Sequence, residues 1–184
     1  MELKTKNSKL KAAFTLTEMM VVLVIISLFV LLVMTNFSGL LAGHSFKAQA
    51  QDFVSALQMA ANAAAETGRR YEVIVDIGQQ SYILREITSP DLSEVLDEEI
   101  IIKSDFGNNC RVIYVLFDDG DYTNEGRAKF RVGRSGWQYG GKISLLDNNE
   151  QEYSVIVNRL NGLVELKKGD VEFLTPKPKE DVPF

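Results

Sequence analysis

Apolar positions follow three successive patterns along the chain. From Phe14 to Met34 they run almost unbroken, as FTLTEMMVVLVIISLFVLLVM, with Glu18 the sole ionisable side chain in the run. As a helix this run would reach about 31 Å at about 1.5 Å per residue, enough to cross a bilayer's hydrocarbon core. Further on they thin to a stripe at helical spacing: Phe46, Ala50, Phe53, Val54, Leu57, Ala61 and Ala64. Lys47, Gln49, Gln51, Asp52 and Gln58 fall off that stripe. Between the two, Thr35-Asn36, Ser38-Gly39 and Gly43-His44 weaken helix propensity without a proline stop, and Gly68 offers a C-cap. The spacing predicts one helix from Phe14 to Thr67, apolar all round at first and amphipathic afterwards. Its stripe is expected to pack on the chain's own domain.

From Tyr71 the period changes to two. Tyr71–Ile77 and Ser81–Ile87, joined at Gly78-Gln79-Gln80, read as a hairpin. Further strands are expected at Ile100–Lys103, Val112–Phe117, Ala128–Val132, Lys142–Leu146, Tyr153–Asn158 and Leu163–Lys167. Ser89–Glu99 reads as an acidic connector with one helical turn. Asn161-Gly162 suits a hairpin turn with positive φ, and Gly140-Gly141 is expected to give the chain freedom at the start of a strand. Pro176, Pro178 and Pro183 with alternating charges predict a disordered tail. The fold class expected is α+β: a long N-terminal helix packed on a β-rich antiparallel C-terminal domain. Five segments follow: a leader at 1–13, a membrane and filament-core helix at 14–43, an amphipathic helix at 44–68, a β-rich domain at 69–173 and a tail at 174–184.

Composition is ordinary for a globular chain of 184 residues, 46% hydrophobic and 24% charged. The distribution of charge is not ordinary. Lys4, Lys6, Lys9 and Lys11 against Glu2 give the leader +3; the whole chain is −5, which leaves −8 on the rest. Lysines flank the apolar run only on its N-terminal side, so the leader is expected in the cytoplasm and the remainder outside the inner membrane, in a single pass. An acidic exported domain repels phosphate backbones, so nucleic acid is not an expected partner. A cleaved signal peptide is the competing reading. The run is longer than an h-region, it carries Glu18, and Leu41 stands where the A-x-A pattern wants a small residue. His44 stands where a lipoprotein would have cysteine.

Glu18 is costly inside a membrane segment and therefore wants a partner. It lies four residues after Phe14. If Phe14 were the first residue, its ammonium on a neighbouring chain, shifted along the axis, could answer the carboxylate and set a register for assembly.

Lys11-Ala12-Ala13-Phe14-Thr15-Leu16-Thr17-Glu18, followed by an apolar helix, resembles the processing and methylation motif of type IV prepilins and type II secretion pseudopilins. The resemblance implies cleavage between Ala13 and Phe14 by a prepilin peptidase, N-methylation of Phe14 and pairing of Glu18 with a neighbour's terminus. The family usually has Gly where this chain has Ala13. A second resemblance covers Phe130-Arg131-Val132-Gly133, Gly141-Lys142-Ile143-Ser144-Leu145, Tyr153-Ser154-Val155-Ile156-Val157 and Asn161-Gly162-Leu163-Val164. It is similar to the C-terminal β-region of minor pseudopilins of the H type, whose closing turn reads Thr-Gly-Arg where this chain has Asn161-Gly162-Leu163. The resemblance implies a low-copy filament subunit, with other pseudopilin subunits as partners. The family's capping subunit lacks the carboxylate that Glu18 supplies here.

Other chemistry is thin. His44 is the only histidine and Cys110 the only cysteine, far apart, so no nucleophile–base pair, zinc spacing or phosphate loop is visible. No catalytic, cofactor or metal residues are expected. Cys110 reads as a small buried hydrophobe. Asp118-Asp119-Gly120-Asp121 with Glu125 could hold calcium or be a solvated turn. Arg127, Lys129 and Arg131 alternate with Ala128, Phe130 and Val132, so one strand face is basic. Arg134, Trp137 and Tyr139 follow. That face reads as solvated or as a contact to an acidic neighbouring subunit; a DNA-uptake pilin would use it on nucleic acid. The function expected is a minor pseudopilin helping to export folded proteins. The alternatives are a minor type IV pilin for DNA uptake or adhesion, and a membrane-anchored periplasmic enzyme.

Overall fold

The computed structural model describes residues 16–89, 92 and 95–175, and their side chains apart from 32–44. The leader, the Ala13–Phe14 junction, the His44 side chain and the tail from Pro176 lie outside the described parts. The chain divides into two units, Met1–Leu41 and Ala42–Phe184.

Helix α1 (Leu16–Thr67) takes in the weak residues between the two apolar patterns without a break in its backbone assignment. It stops where the sequence places a glycine. Gly68 sits at φ 69°, and its N–H donates to the Ala64 carbonyl at 3.0 Å, a closing turn that a residue with a Cβ adopts only under strain. The Thr67 hydroxyl donates to the Ala63 carbonyl at 2.7 Å.

In the second unit, strands β1 (Tyr71–Asp76), β2 (Ser81–Glu86), β3 (Ile100–Asp105), β4 (Cys110–Phe117), β5 (Tyr122–Thr123), β6 (Arg127–Gly133), β7 (Gly136–Trp137), β8 (Gly141–Asp147), β9 (Glu152–Val157) and β10 (Val164–Lys168) form two antiparallel sheets. One runs β3-β2-β1-β6-β7 and the other β10-β9-β8-β4-β5. The fold class is α+β. The strands expected from the sequence are all present, with ends moved by one or two residues. β5 and β7 are additional; a two-residue strand carries too little alternation to be seen in sequence. The connector's helical turn is a single 3-10 turn at Asp97–Glu99.

Both sheets meet the second half of α1 over one core. Phe53 packs on Tyr82 of β2 and on Phe106, each at a centroid distance of 5.0 Å. Phe46 lies 4.4 Å from the ring of Tyr153 on β9. The expected stripe is buried throughout except at half-buried Ala61, and Ala56 and Ala60 join it. On the first sheet, Tyr71, Val73 and Val75 stand opposite Val132, Phe130 and Ala128, and all six enter the core. The period of two puts them on one face.

Two details of the second sheet have causes that pattern reading does not reach. β4 carries a bulge between Val112 and Tyr114. It shifts the phase of the strand, so that Cys110 and Val112 before it and Val115 after it all point inward. The Gln80 carboxamide reaches the bulge from the turn between β1 and β2, accepting from Val112 N at 2.7 Å and donating to Val112 O at 2.9 Å. The second detail corrects an expectation. Gly140 and Gly141 do not have positive φ. A Cβ on Gly141 would stand 2.6 Å from the Leu116 carbonyl oxygen, and one on Gly140 would stand 3.0 Å from that of Val157. The pair is there because the backbones approach closely, not because the chain needs freedom.

Candidate assembly site

The first unit contributes a segment with no internal core. The described large apolar side chains from Leu16 to Leu31 are all exposed, from 41% at Val22 to 78% at Leu16. A helix apolar all round cannot stay in water; it belongs among other helices or in lipid. Ser27 keeps its hydroxyl satisfied by donating to the Leu23 carbonyl at 2.8 Å, so it brings no stray polar group into such surroundings. Glu18 sits in the first turn of α1, where a carboxylate complements the positive end of the helix dipole. Among the described residues no helix is long and apolar enough to cross a membrane. The apolar side chains described end at Leu31, short of the ~20 residues that a span needs.

The basic strand face is partly paired within the chain. Cross-strand register sets Glu72 opposite both Arg131 and Arg85, and Asp76 opposite Arg127. Arg131 donates to Glu72 at 2.7 Å and Arg127 to Asp76 at 2.8 Å, while Lys129 reaches the Leu92 carbonyl at 3.4 Å. Two of its three cations are thus paired within the chain, while the Arg127 side chain stays 54% exposed. Beside it, on the same face of the sheet, lies a charged cluster that the sequence does not announce. Arg85, Glu72 and Glu99 are all buried. Arg85 bridges Glu72 at 2.6 Å and Glu99 at 2.9 Å. Glu99 in turn accepts from the Thr88 hydroxyl at 2.6 Å and from the backbone N–H of Thr88 and Ser89. The Thr88 hydroxyl and N–H, with the Ser89 N–H and Arg85, hold the Glu99 carboxyl down at about 2 against the pull of burial. This cluster fastens the connector to the first sheet.

The acidic loop is a tight turn. Gly120 takes φ 95°, the Asp121 N–H donates to Asp119 Oδ1 at 3.1 Å, and Asp118 is buried with Arg159 Nε at 3.4 Å. Among the described residues no three potential ligands come together around a metal position. Cys110 is buried, and burial pushes its thiol up to about 12.

With this geometry in view, two comparisons are informative. The prokaryotic N-terminal methylation motif matches residues 8–34, a span that includes Ala13, Phe14 and Glu18. The structure is similar to that of the minor pseudopilin EpsH from the type 2 secretion system of Vibrio cholerae, with a TM-score of 0.54 and 14% identity. The match covers 70% of this chain and 99% of that one. The chain has the fold of a minor pseudopilin.

No curated protein matches the chain in sequence. The pseudopilin fold and the methylation motif together mark a subunit of the kind found in type II secretion and type IV pilus systems. The exposed apolar segment and the β-domain differ in where their apolar side chains are covered. Sequence reasoning found the first through Glu18 and its neighbours. It missed Glu72, Arg85 and Glu99, because isolated charges in alternating strands read as solvated.

Proposed function

We propose that the chain is a minor pseudopilin of a type II secretion-type filament that helps to export folded proteins. It is a structural subunit, not an enzyme. Residues 1–13 form a cytoplasmic leader removed by a prepilin peptidase between Ala13 and Phe14, after which Phe14 is N-methylated. Residues 14–43 hold the chain in the inner membrane and later in the filament core. Residues 44–68 and 69–173 stand on the periplasmic side, and 174–184 form a tail. Glu18 answers the terminal ammonium of a neighbouring subunit and sets the register.

The observation that carries this reading is the joining of a methylation motif at residues 8–34 to a domain with the EpsH-like fold. The competing DNA-uptake pilin would need the basic face of β6, and two of its three cations already serve Glu72 and Asp76. That favours protein partners. Mass spectrometry of protein extracted from membranes should show a chain starting at N-methylated Phe14. An intact Met1, or a start near Ser45, would overturn the reading. Glu18→Ala should leave the protein inserted and folded while sharply reducing its co-purification with partner subunits; unchanged co-purification would remove Glu18 from the mechanism.

A further inference from the structure

A groove of about 310 Å³ lies at the end of the second unit where α1 enters it, lined by Phe46, Lys47, Tyr153, Leu166, Lys167 and Lys168. Its place follows from how β9 and β10 run beside the helix. Phe46 meets Tyr153, which pairs with Lys168, while Gln58, farther along α1, donates to the Val164 carbonyl at 3.2 Å. Tyr153 and Lys168 therefore stand at the Phe46 end, and Val164 stands near Gln58. Lys47 is four residues beyond position 43, about 6 Å along a helix axis.

The lining has two parts. The rings of Phe46 and Tyr153, tilted at 38° to one another, and the side chain of Leu166 make an apolar floor. Lys47, Lys167 and Lys168 make a cationic rim in a region whose formal charge is otherwise strongly negative. Lys167 pairs with Glu165 at 3.1 Å. Lys47 and Lys168 are exposed and have no carboxylate partner among the described residues. Strand alternation puts Lys168 on the same side of β10 as Val164 and Leu166, where it lines the groove.

We propose that this groove holds an anionic phospholipid headgroup at the membrane surface. The proposal rests on the reading of residues 14–43 as the membrane anchor. The lysines attract the phosphate, and their stems and the tyrosine ring suit the boundary between headgroup and acyl chain. The acidic remainder of the domain is repelled by the same surface, so the rim fixes which face of the domain turns toward lipid. A subunit held this way keeps its domain seated beside the bilayer until it is drawn into a filament.

The test is lysine acetylation footprinting of the full chain in nanodiscs. One set contains phosphatidylcholine alone, and the other contains phosphatidylglycerol in addition. Lys47 and Lys168 should label several-fold more slowly in the anionic discs, while Lys103 on β3, exposed and away from the groove, labels equally in both. Lys47→Gln should restore labelling of Lys168. Equal labelling in both discs from a fully incorporated chain overturns the lipid proposal and leaves the anchor standing. Protection in zwitterionic discs on adding inorganic phosphate alone, or only on adding an acidic partner subunit, overturns it in favour of those ligands. Failure of the chain to incorporate into either disc overturns anchor and lipid site together.

Discussion

Two apolar stretches of one helix meet opposite fates. Between Leu16 and Leu31 every described large apolar side chain is exposed; between Phe46 and Ala64 the stripe is buried but for half-buried Ala61. Hydrophobicity does not separate them, since the exposed stretch is the more apolar. What separates them is where the partner is. The second stretch finds its partner in sheets made by the same chain, so its free energy of burial goes into folding. The first is left uncovered by the described residues, so its burial adds nothing to the packing of the β-domain's core. The contrast divides the molecule into a part that specifies itself and a part that specifies company.

The largest effect should come from breaking the self-contained side. Phe53→Ala removes a fully buried ring that touches Tyr82 and Phe106, and should cost about 3–5 kcal/mol in urea unfolding of the β-domain. A loss under about 1 kcal/mol would mean that the stripe's real partner lies outside the chain. Gly141→Ala forces a methyl against the Leu116 carbonyl and should cost about 1–3 kcal/mol; an unchanged midpoint would show that β4 and β8 can part there without penalty. A third test concerns acid. Glu99 is held near 2 in the folded chain, against an ordinary value of 4.5. A depressed carboxyl stabilises the fold above its unfolded value and loses that contribution as pH falls through the folded one. Stability should therefore decline between about pH 4.5 and 2, and Glu99→Gln should flatten the decline within that window. A wild-type curve already flat there would detach Glu99 from the connector's hold. Smallest of all is the control on the other stretch. Leu23→Ala should leave the unfolding of the β-domain within about 0.5 kcal/mol, and a larger shift would blur the division between the two parts.

Much of this was legible in the amino-acid order, for physical reasons that can be named. Burial along α1 follows a 3.6-residue period, so Phe46, Phe53 and Leu57 announced themselves. Ala56 and Ala60 did not, because alanine is at home on either face. Strands of five or more residues declared their alternation; Tyr122–Thr123 and Gly136–Trp137 were too short. The bulge in β4 hid a change of phase inside a run of apolar residues. The charged cluster was out of reach for a different reason. Glu72 and the Arg131 it also holds are 59 residues apart along the chain, and only sheet register brings Arg131 and Arg85 to the two sides of Glu72. The glycine pair at 140–141 was visible, but its cause was not, since a close approach between strands leaves no mark on the local sequence. Of the assembly site, Glu18 stands in the first helical turn, while Ala13 and Phe14 lie outside the described residues.

Cys110 has one further consequence. On the proposed reading the domain stands in an oxidising compartment, where a solitary thiol would ordinarily invite cross-links between copies. Here the thiol is sealed in the core with its ionisation pushed to about 12, and the thiolate is the species that attacks a disulfide. In the filament proposed above, neighbouring subunits would therefore stay chemically separate, and the filament could come apart again. The same seal makes the sulfur a clock. A thiol-specific label reaches it only when the β-domain opens, so the rate of labelling in intact cells reads out how often that domain unfolds, with no change made to the chain.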